Sequence, residues 1–553
     1  MEERPIFKPW VPKWLAIATI ISILFPSLVI FALYYNSTLA AAEYYSMDGM
    51  DIQYSVVLMY ATVISWLALD SHLIKCFRLC SYTIAGIFIN TVTCWICAES
   101  TSGEIFMFCR FIQGAVCAFL CNICMTLSFT LFHVSKARVM GYTIFYGSLM
   151  VCVPFSAIFA NLILNHFGIE SVFYGFILFQ VPGFILLLLT MNNRYLTRKH
   201  PWQSADWTGF LIYTAIVSMV GYILVYGQQL EWLESPKIKF LLVILLIITP
   251  VYIISSWYKK RPLIQLKLML NGKYRLALLL LTVFYISKGT VFFTYLYMQD
   301  GLGIDPVSMI TIWSFNILGL FVGIFSVKSL LLRGVAPRTI IKLGFAILLI
   351  FHTQMFFLFA STASEEKFYF PLFVQGVGTG SLFVPLIMNM VLSVPKKQMG
   401  LVAFLGIGAR FLGFCLAIAL INYYQLYTTN DSLMDMATSY TLSNEIAQNT
   451  REEAIDKYTG KGFRYTEAKQ RVDKDLRTVM RKESSLRAYM RYYSFIIGMI
   501  FLLLIYLSLL HLTSKEERDE RAQINRMLYA FVRRKRLRLV GKKQPVDRSD
   551  SLC

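Results

Sequence analysis

The chain has 553 residues, of which 57% are hydrophobic, 15% aromatic and only 15% charged, with a mean hydropathy of +0.58. Soluble domains carry about 25% charged residues, so this composition excludes soluble enzymes, secreted disulfide scaffolds and nucleic-acid binders in favour of one membrane body. The net charge of +20 then belongs in cytoplasmic loops and against lipid headgroups.

Windows of about 19 residues mark fourteen apolar segments, near 14–42, 53–72, 79–98, 104–132, 139–164, 171–191, 207–229, 238–257, 275–299, 307–327, 338–360, 368–393, 400–424 and 491–512. At about 1.5 Å per residue each is long enough to cross about 30 Å of hydrocarbon as a helix. The runs are continuously apolar rather than alternating, which excludes a β-barrel. The first is too long for a cleavable signal peptide and no small-residue cleavage site follows it.

Charge sorts the short connections into two sets. One holds Lys75 and Arg78; Lys136 and Arg138; Arg194, Arg198 and Lys199; Lys259, Lys260 and Arg261; Lys328 and Arg333; Lys396 and Lys397. The alternate set holds Glu43, Asp48, Asp51, Glu99, Glu104, Glu170 and Asp305, with two mixed connections, 230–237 with Glu231, Glu234 and Lys237, and 361–367 with one lysine against two glutamates. This alternation is the positive-inside pattern and predicts a multi-pass plasma (inner) membrane protein with both termini cytoplasmic. The polar stretch 425–490 is expected outside, with Glu452 to Arg477 helical; the tail 514–553, with its Arg533-Arg534-Lys535-Arg536 cluster, reads as a topology anchor touching anionic lipid.

One internal match stands out. Arg110-Phe111-Ile112-Gln113-Gly114 in the fourth span corresponds to Leu372-Phe373-Val374-Gln375-Gly376 in the twelfth. Both fall on the fourth helix of a six-helix half if spans seven and eight are an inserted pair. The expected division is therefore 1–191 (first half), 192–274 (inserted pair with cytoplasmic linkers), 275–513 (second half with its 425–490 loop) and 514–553 (tail). Two related halves with a site between them near the midplane are a secondary-transporter architecture. Arg110, replaced by Leu372 in the second copy, is an ionisable group at membrane depth, where such groups usually face a cavity or pathway.

These residues resemble the EmrB/QacA type of the major facilitator superfamily, its fourteen-spanner drug:proton antiporter branch. Arg110 to Gly114 resembles that branch's fourth-helix motif. Phe179-Gln180-Val181-Pro182-Gly183, Asp206-Trp207-Thr208-Gly209, Tyr297-Met298-Gln299, and Gly406 to Arg410 with Gly413 resemble stretches of its sixth, seventh, ninth and thirteenth helices. The departures mark a divergent member. Val153-Pro154-Phe155-Ser156-Ala157-Ile158 keeps the proline of the helix-five antiporter motif and lacks its paired glycines. The loop motif between helices two and three is reduced to Asp70, His72, Lys75 and Arg78, and Asn36-Ser37-Thr38 stands where many members carry an aspartate.

Other polar groups at depth complete the candidate set. Lys288 in span nine must pair, snorkel or lose its proton, and Arg410 in span thirteen is either functional or snorkelling. Glu43 is a coupling carboxylate or an interfacial charge; Asn389 and Gln113 bond between helices or face a cavity; His352 reads as a satisfied core histidine. Substrate or proton-coupling candidates are thus Arg110, Gln113, Asn36, Glu43, Lys288, Asn389 and Arg410, and gating candidates are Asp70, Arg78 and Pro154. The eleven cysteines, including Cys94/Cys97 and Cys121/Cys124, lie in apolar spans without histidine spacing for zinc. No P-loop, metal site, bound cofactor or catalytic constellation is visible.

The resemblance implies proton-coupled export of a hydrophobic or amphipathic compound by alternating access. Its partners are lipid, substrate and protons; a periplasmic adaptor, as some relatives use, has no residue here to support it. Uptake or uniport of a specific metabolite, a membrane enzyme or lipid scramblase, and a non-transporting sensor or scaffold using 425–490 and the tail are the alternatives. A cysteine-labelling map tests the topology: a reporter cysteine placed in 514–553 is labelled from the cytoplasm, and one placed in 425–490 from outside.

Overall fold

In hydrocarbon every backbone N–H and C=O needs a partner within its own segment, and the described residues meet that demand with helices. The computed structural model describes residues 6–196, 206–259, 263, 266–395, 402–439 and 445–513. The tail 514–553 and the basic residues Arg198, Lys199, Lys260, Arg261, Lys396 and Lys397 lie outside them.

In chain order the helices are α1 (Lys13–Asn36), α2 (Thr38–Tyr45), α3 (Gly49–Leu73), α4 (Leu79–Glu99), α5 (Gly103–Thr130), α6 (Val134–Leu164), α7 (Ile169–Thr190), α8 (Trp207–Tyr226) and α9 (Pro236–Tyr258). They continue with α10 (Gly272–Lys288), α11 (Thr290–Leu296), α12 (Pro306–Leu332), α13 (Pro337–Leu358), α14 (Tyr369–Leu392), α15 (Val402–Tyr423), α16 (Thr429–Ser439), α17 (Glu445–Thr459) and α18 (Tyr465–Thr513). Fourteen segments among the described residues are long and apolar enough to cross a membrane, the number read from hydropathy.

Three boundaries differ from the hydropathy reading. The first span stops at Asn36, and Glu43 lies on the separate short helix α2. The ninth is interrupted: α10 ends at Lys288, Gly289 caps it, and α11 follows. The last is the end of one 49-residue helix, since nothing between Tyr465 and Thr513 breaks it; only Gly460 to Arg464 separate it from α17. Hydropathy sees the apolar stretch of α18 and not its charged extension. Outside the apolar spans α17 packs on α18 through Ile455, Ala468 and Val472 and through an Arg451–Asp473 ion pair of 2.5 Å.

Glycines set the tightest helix contacts. A Cβ at Gly114 would lie 2.5 Å from the Met59 carbonyl oxygen of α3, and one at Gly376 would lie 2.2 Å from the Asn316 carbonyl oxygen of α12. The matched glycines of the two copies thus seat α5 on α3 and α14 on α12, backbone against backbone, as small residues allow in membranes. Beside the second contact Asn316 Nδ2 donates to Gln375 Oε1 at 2.6 Å and to the Leu372 carbonyl at 2.7 Å.

Helix α8 packs on α3 and α15, while α9 leans mainly on α8 and turns Phe240, Leu246 and Ile247 outward, the lipid-facing side of a spanning helix. Asp206 caps α8, accepting from Gly209 N at 3.0 Å and from Lys259 Nζ at 2.8 Å. Partial burial pushes its carboxyl up, but the Lys259 and Gly209 hydrogen bonds outweigh this and hold it below the usual carboxylate range.

The glycine contacts give a direct test. Gly376→Leu forces α12 from α14 and costs about 1–3 kcal/mol, read as a lower thermal unfolding midpoint in detergent. Gly498→Leu, where an added Cβ meets nothing within 4 Å, leaves the midpoint unchanged.

Candidate functional site: a central cavity

Helices α1, α3, α5 and α6 from the first part of the chain and α10, α11 and α15 from the last line a cavity of about 330 Å³. Its walls are mostly apolar and aromatic, with Phe31, Tyr60, Phe145, Tyr146 and Phe414 among them. The charged lining residues are Lys75, Lys288 and Arg410; among the described residues no Asp or Glu lines it. Lys75 and Leu196, both in connections of the basic set, mark one end.

At the acidic end hydrogen bonds draw α15, α8 and α3 together. Asn422 Nδ2 donates to the Val225 carbonyl at 3.1 Å and to Gln53 Oε1 at 3.4 Å. Tyr226 donates to Asp51, and Gln229 Nε2 donates to Asp48 Oδ2 at 2.9 Å.

Arg410 is buried at 7% exposure, its guanidinium carbon 5.7 Å from the ring centres of both Tyr146 and Phe383, with Tyr60 and Tyr285 also beside it. Its Nε has no hydrogen-bond partner among the described residues. Lys288 is half-buried at the C-terminal turn of α10, where the helix dipole favours a cation. Its Nζ lies 5.8 Å from the Tyr285 ring centre, and Cys152 of α6 faces it. The cavity therefore brings these two sequence candidates together, with Tyr285 next to both.

Arg110 and Gln113 lie elsewhere. Arg110, fully buried, donates from Nη1 to the Ile30 carbonyl of α1 at 3.2 Å and to Gln113 Oε1 at 3.0 Å, and Gln113 contacts Cys94 Sγ at 3.8 Å. Neither lines the cavity, nor does Asn389. Glu43 is exposed on α2, and the side chain of Asn36 lies outside the described residues. His352 bonds Thr290 Oγ1 at 3.1 Å and the Leu348 carbonyl at 2.6 Å, a satisfied core histidine.

Of the gating candidates, Asp70 is fully buried at the end of α3 and accepts from Tyr82 OH of α4 and Asn122 Nδ2 of α5, each at 2.7 Å. Arg78 is exposed and lies over Tyr195 at 5.7 Å, with no ion pair to Asp70 among the described residues. Pro154 sits inside α6; two residues on, Ser156 Oγ bonds the Ala32 carbonyl of α1 at 3.3 Å. Sequence reasoning missed Asn122, Asn422 and the tyrosines around Arg410. The two amides carry the signal already used for Gln113 and Asn389, a polar group inside an apolar span; the tyrosines carry none.

The helical bundle has counterparts in known proteins. Residues 15–418 match the Major Facilitator Superfamily, and the chain belongs to it: it is a multi-pass membrane transporter, not an enzyme. Over 331 residues it is 22% identical to the Multidrug export protein EmrB of Haemophilus influenzae, a stretch covering 57% of this chain and 61% of that one, which agrees with the EmrB-type resemblance of its motifs. The fold is shared with a mutant of the peptide transporter POT in complex with sulfate (TM-score 0.56, 12% identity, 92% of this chain and 96% of that one). It is shared too with a POT family transporter in complex with a thioalcohol-conjugated peptide (TM-score 0.54, 11% identity, 89% of this chain and 95% of that one).

Asp70→Ala orphans the Tyr82 hydroxyl and the Asn122 amide at about 1–3 kcal/mol each. The expected outcome is a clear drop in the thermal unfolding midpoint, with a smaller drop for Asp70→Asn, which keeps an acceptor oxygen.

Proposed function

We propose that this chain exports a hydrophobic or amphipathic small molecule in exchange for protons, by alternating access through the central cavity. The observation that carries this reading is the cavity itself: helices from both parts of the chain line it, it reaches the basic connections, and hydrogen bonds among α3, α8 and α15 cover its acidic end. In this reading the basic connections and both termini are cytoplasmic, the plasma (inner) membrane is the site of action, and the cavity opens toward the cytoplasm. The export direction also draws on the similarity to a multidrug export protein.

Within this reading Arg110 with Gln113 holds coupling charge at membrane depth, while Lys288 and Arg410 act from the cavity wall. Asp70 and Pro154 serve as gating elements, and Arg78 acts at the surface of the same end. Glu43, exposed on α2, is the weakest of the coupling candidates. A second reading, uptake or uniport, is favoured by one feature: Phe155-Ser156-Ala157-Ile158 stands where the antiporter motif has its paired glycines, and Ser156 bonds α1 directly.

Proteoliposomes with an imposed pH gradient decide between them. Antiport predicts amphiphile flux that collapses when the gradient is dissipated and falls at least about tenfold in Arg110→Ala. Flux that ignores the gradient and survives Arg110→Ala unchanged overturns the antiport reading.

A further inference from the structure

The cavity's charge is one-sided. Lys75, Lys288 and Arg410 line it, and no carboxylate among the described residues does so. The ion pairs found among the described residues, Lys259–Asp206, Arg451–Asp473 and Arg491–Asp431, all lie away from the cavity. Arginine keeps its charge at any physiological pH, so Arg410 brings a permanent cation into an apolar chamber. A buried charge is normally paired or hydrogen-bonded. Here the hydroxyls of Tyr285 and Tyr146 lie against the guanidinium and the rings of Tyr146 and Phe383 flank it, while its Nε has no partner among the described residues. Lys288, at the break between α10 and α11, adds a second donor one turn from Tyr285.

We infer that the substrate of this cavity is an organic anion with an apolar body, its sulfonate or carboxylate head taken by Arg410 and Lys288 and its body lodged against Phe31, Phe145 and Phe414. The inference rests on the transport reading above and narrows it to one substrate class. A guanidinium offers parallel N–H donors that match a carboxylate or sulfonate, whereas a cationic amphiphile would bring like charge against three cations. The volume of about 330 Å³ falls in the range of small-molecule sites, about 300–1,000 Å³, and accepts a bicyclic aromatic.

Calorimetric titration of the full chain in phosphatidylcholine nanodiscs tests this with three probes of one shape: naphthalene-2-sulfonate, 2-naphthol and trimethyl(2-naphthyl)ammonium. The sulfonate binds at least about tenfold more tightly than the other two. R410Q and K288Q each weaken it about tenfold or more, R410K, which keeps the charge and loses the paired donors, binds more weakly than the parent and more tightly than R410Q, and 2-naphthol binding stays unmoved in all variants. Preference for the ammonium probe, equal binding of all three, or sulfonate binding untouched by R410Q overturns the assignment, and so does failure of the sulfonate to bind. Because R410K keeps the charge, loss of binding in both R410K and R410Q together with a lowered unfolding midpoint assigns Arg410 to folding and also overturns it. Repeating the titration with phosphatidylglycerol in the disc separates a soluble anion from a lipid headgroup: unaltered sulfonate binding supports the soluble anion, and competition by the lipid overturns it. Proteoliposome flux of the ammonium probe without sulfonate binding would sink the anion assignment and leave the transport reading standing.

Discussion

A cation carried into an apolar bundle has to be stabilised by what surrounds it, and in this protein the surroundings of Arg410 decide the layout of the centre. Tyr146 of α6 and Phe383 of α14 flank the guanidinium, so helices from both parts of the chain meet around one charge. Lys288 is tolerated nearby because α10 ends there: Gly289 closes the helix, and the dipole of its last turn favours a cation. The interruption is itself close-packed, since a Cβ on Gly289 would come within 2.6 Å of the Ala417 side chain of α15. Breaking the ninth span thus positions a donor and brings α15 against it.

Arg110 shows a different solution to the same problem. It is enclosed by its own neighbours, bonded to the Ile30 carbonyl and to Gln113, and the central chamber does not reach it. Its helix can sit this near α3 because Gly114 presents no side chain there. In the second copy Leu372 replaces the arginine, while the glycine contact and a glutamine hydrogen bond persist, the latter made with Asn316. The two copies keep the packing and differ in the charge.

Hydropathy alone located the fourteen spans, because a run of apolar residues long enough for the bilayer needs no tertiary information to be recognised. Interruptions were less visible: Gly289 reads as one glycine in an apolar run, and the charged half of α18 has no hydropathy signal although it is helical. Which charges face a common space was not legible at all. Arg110 and Arg410 look alike in sequence, each an arginine inside an apolar span, and only the packing of α6, α10, α14 and α15 separates them. Asp70 was readable as part of a degraded loop motif; its acceptance from Tyr82 and Asn122 depends on three helix ends converging, which no spacing encodes.

The unbroken run of α18 has a mechanical consequence. Residues 465–490 continue without a joint into the stretch that crosses the bilayer. That arm is about 39 Å long at about 1.5 Å per residue, so about 10° of tilt of a rigid helix would sweep its tip by about 7 Å. Since α17 is clasped to it by Arg451 and Asp473, the two helices would move with any tilt of the last span as one body.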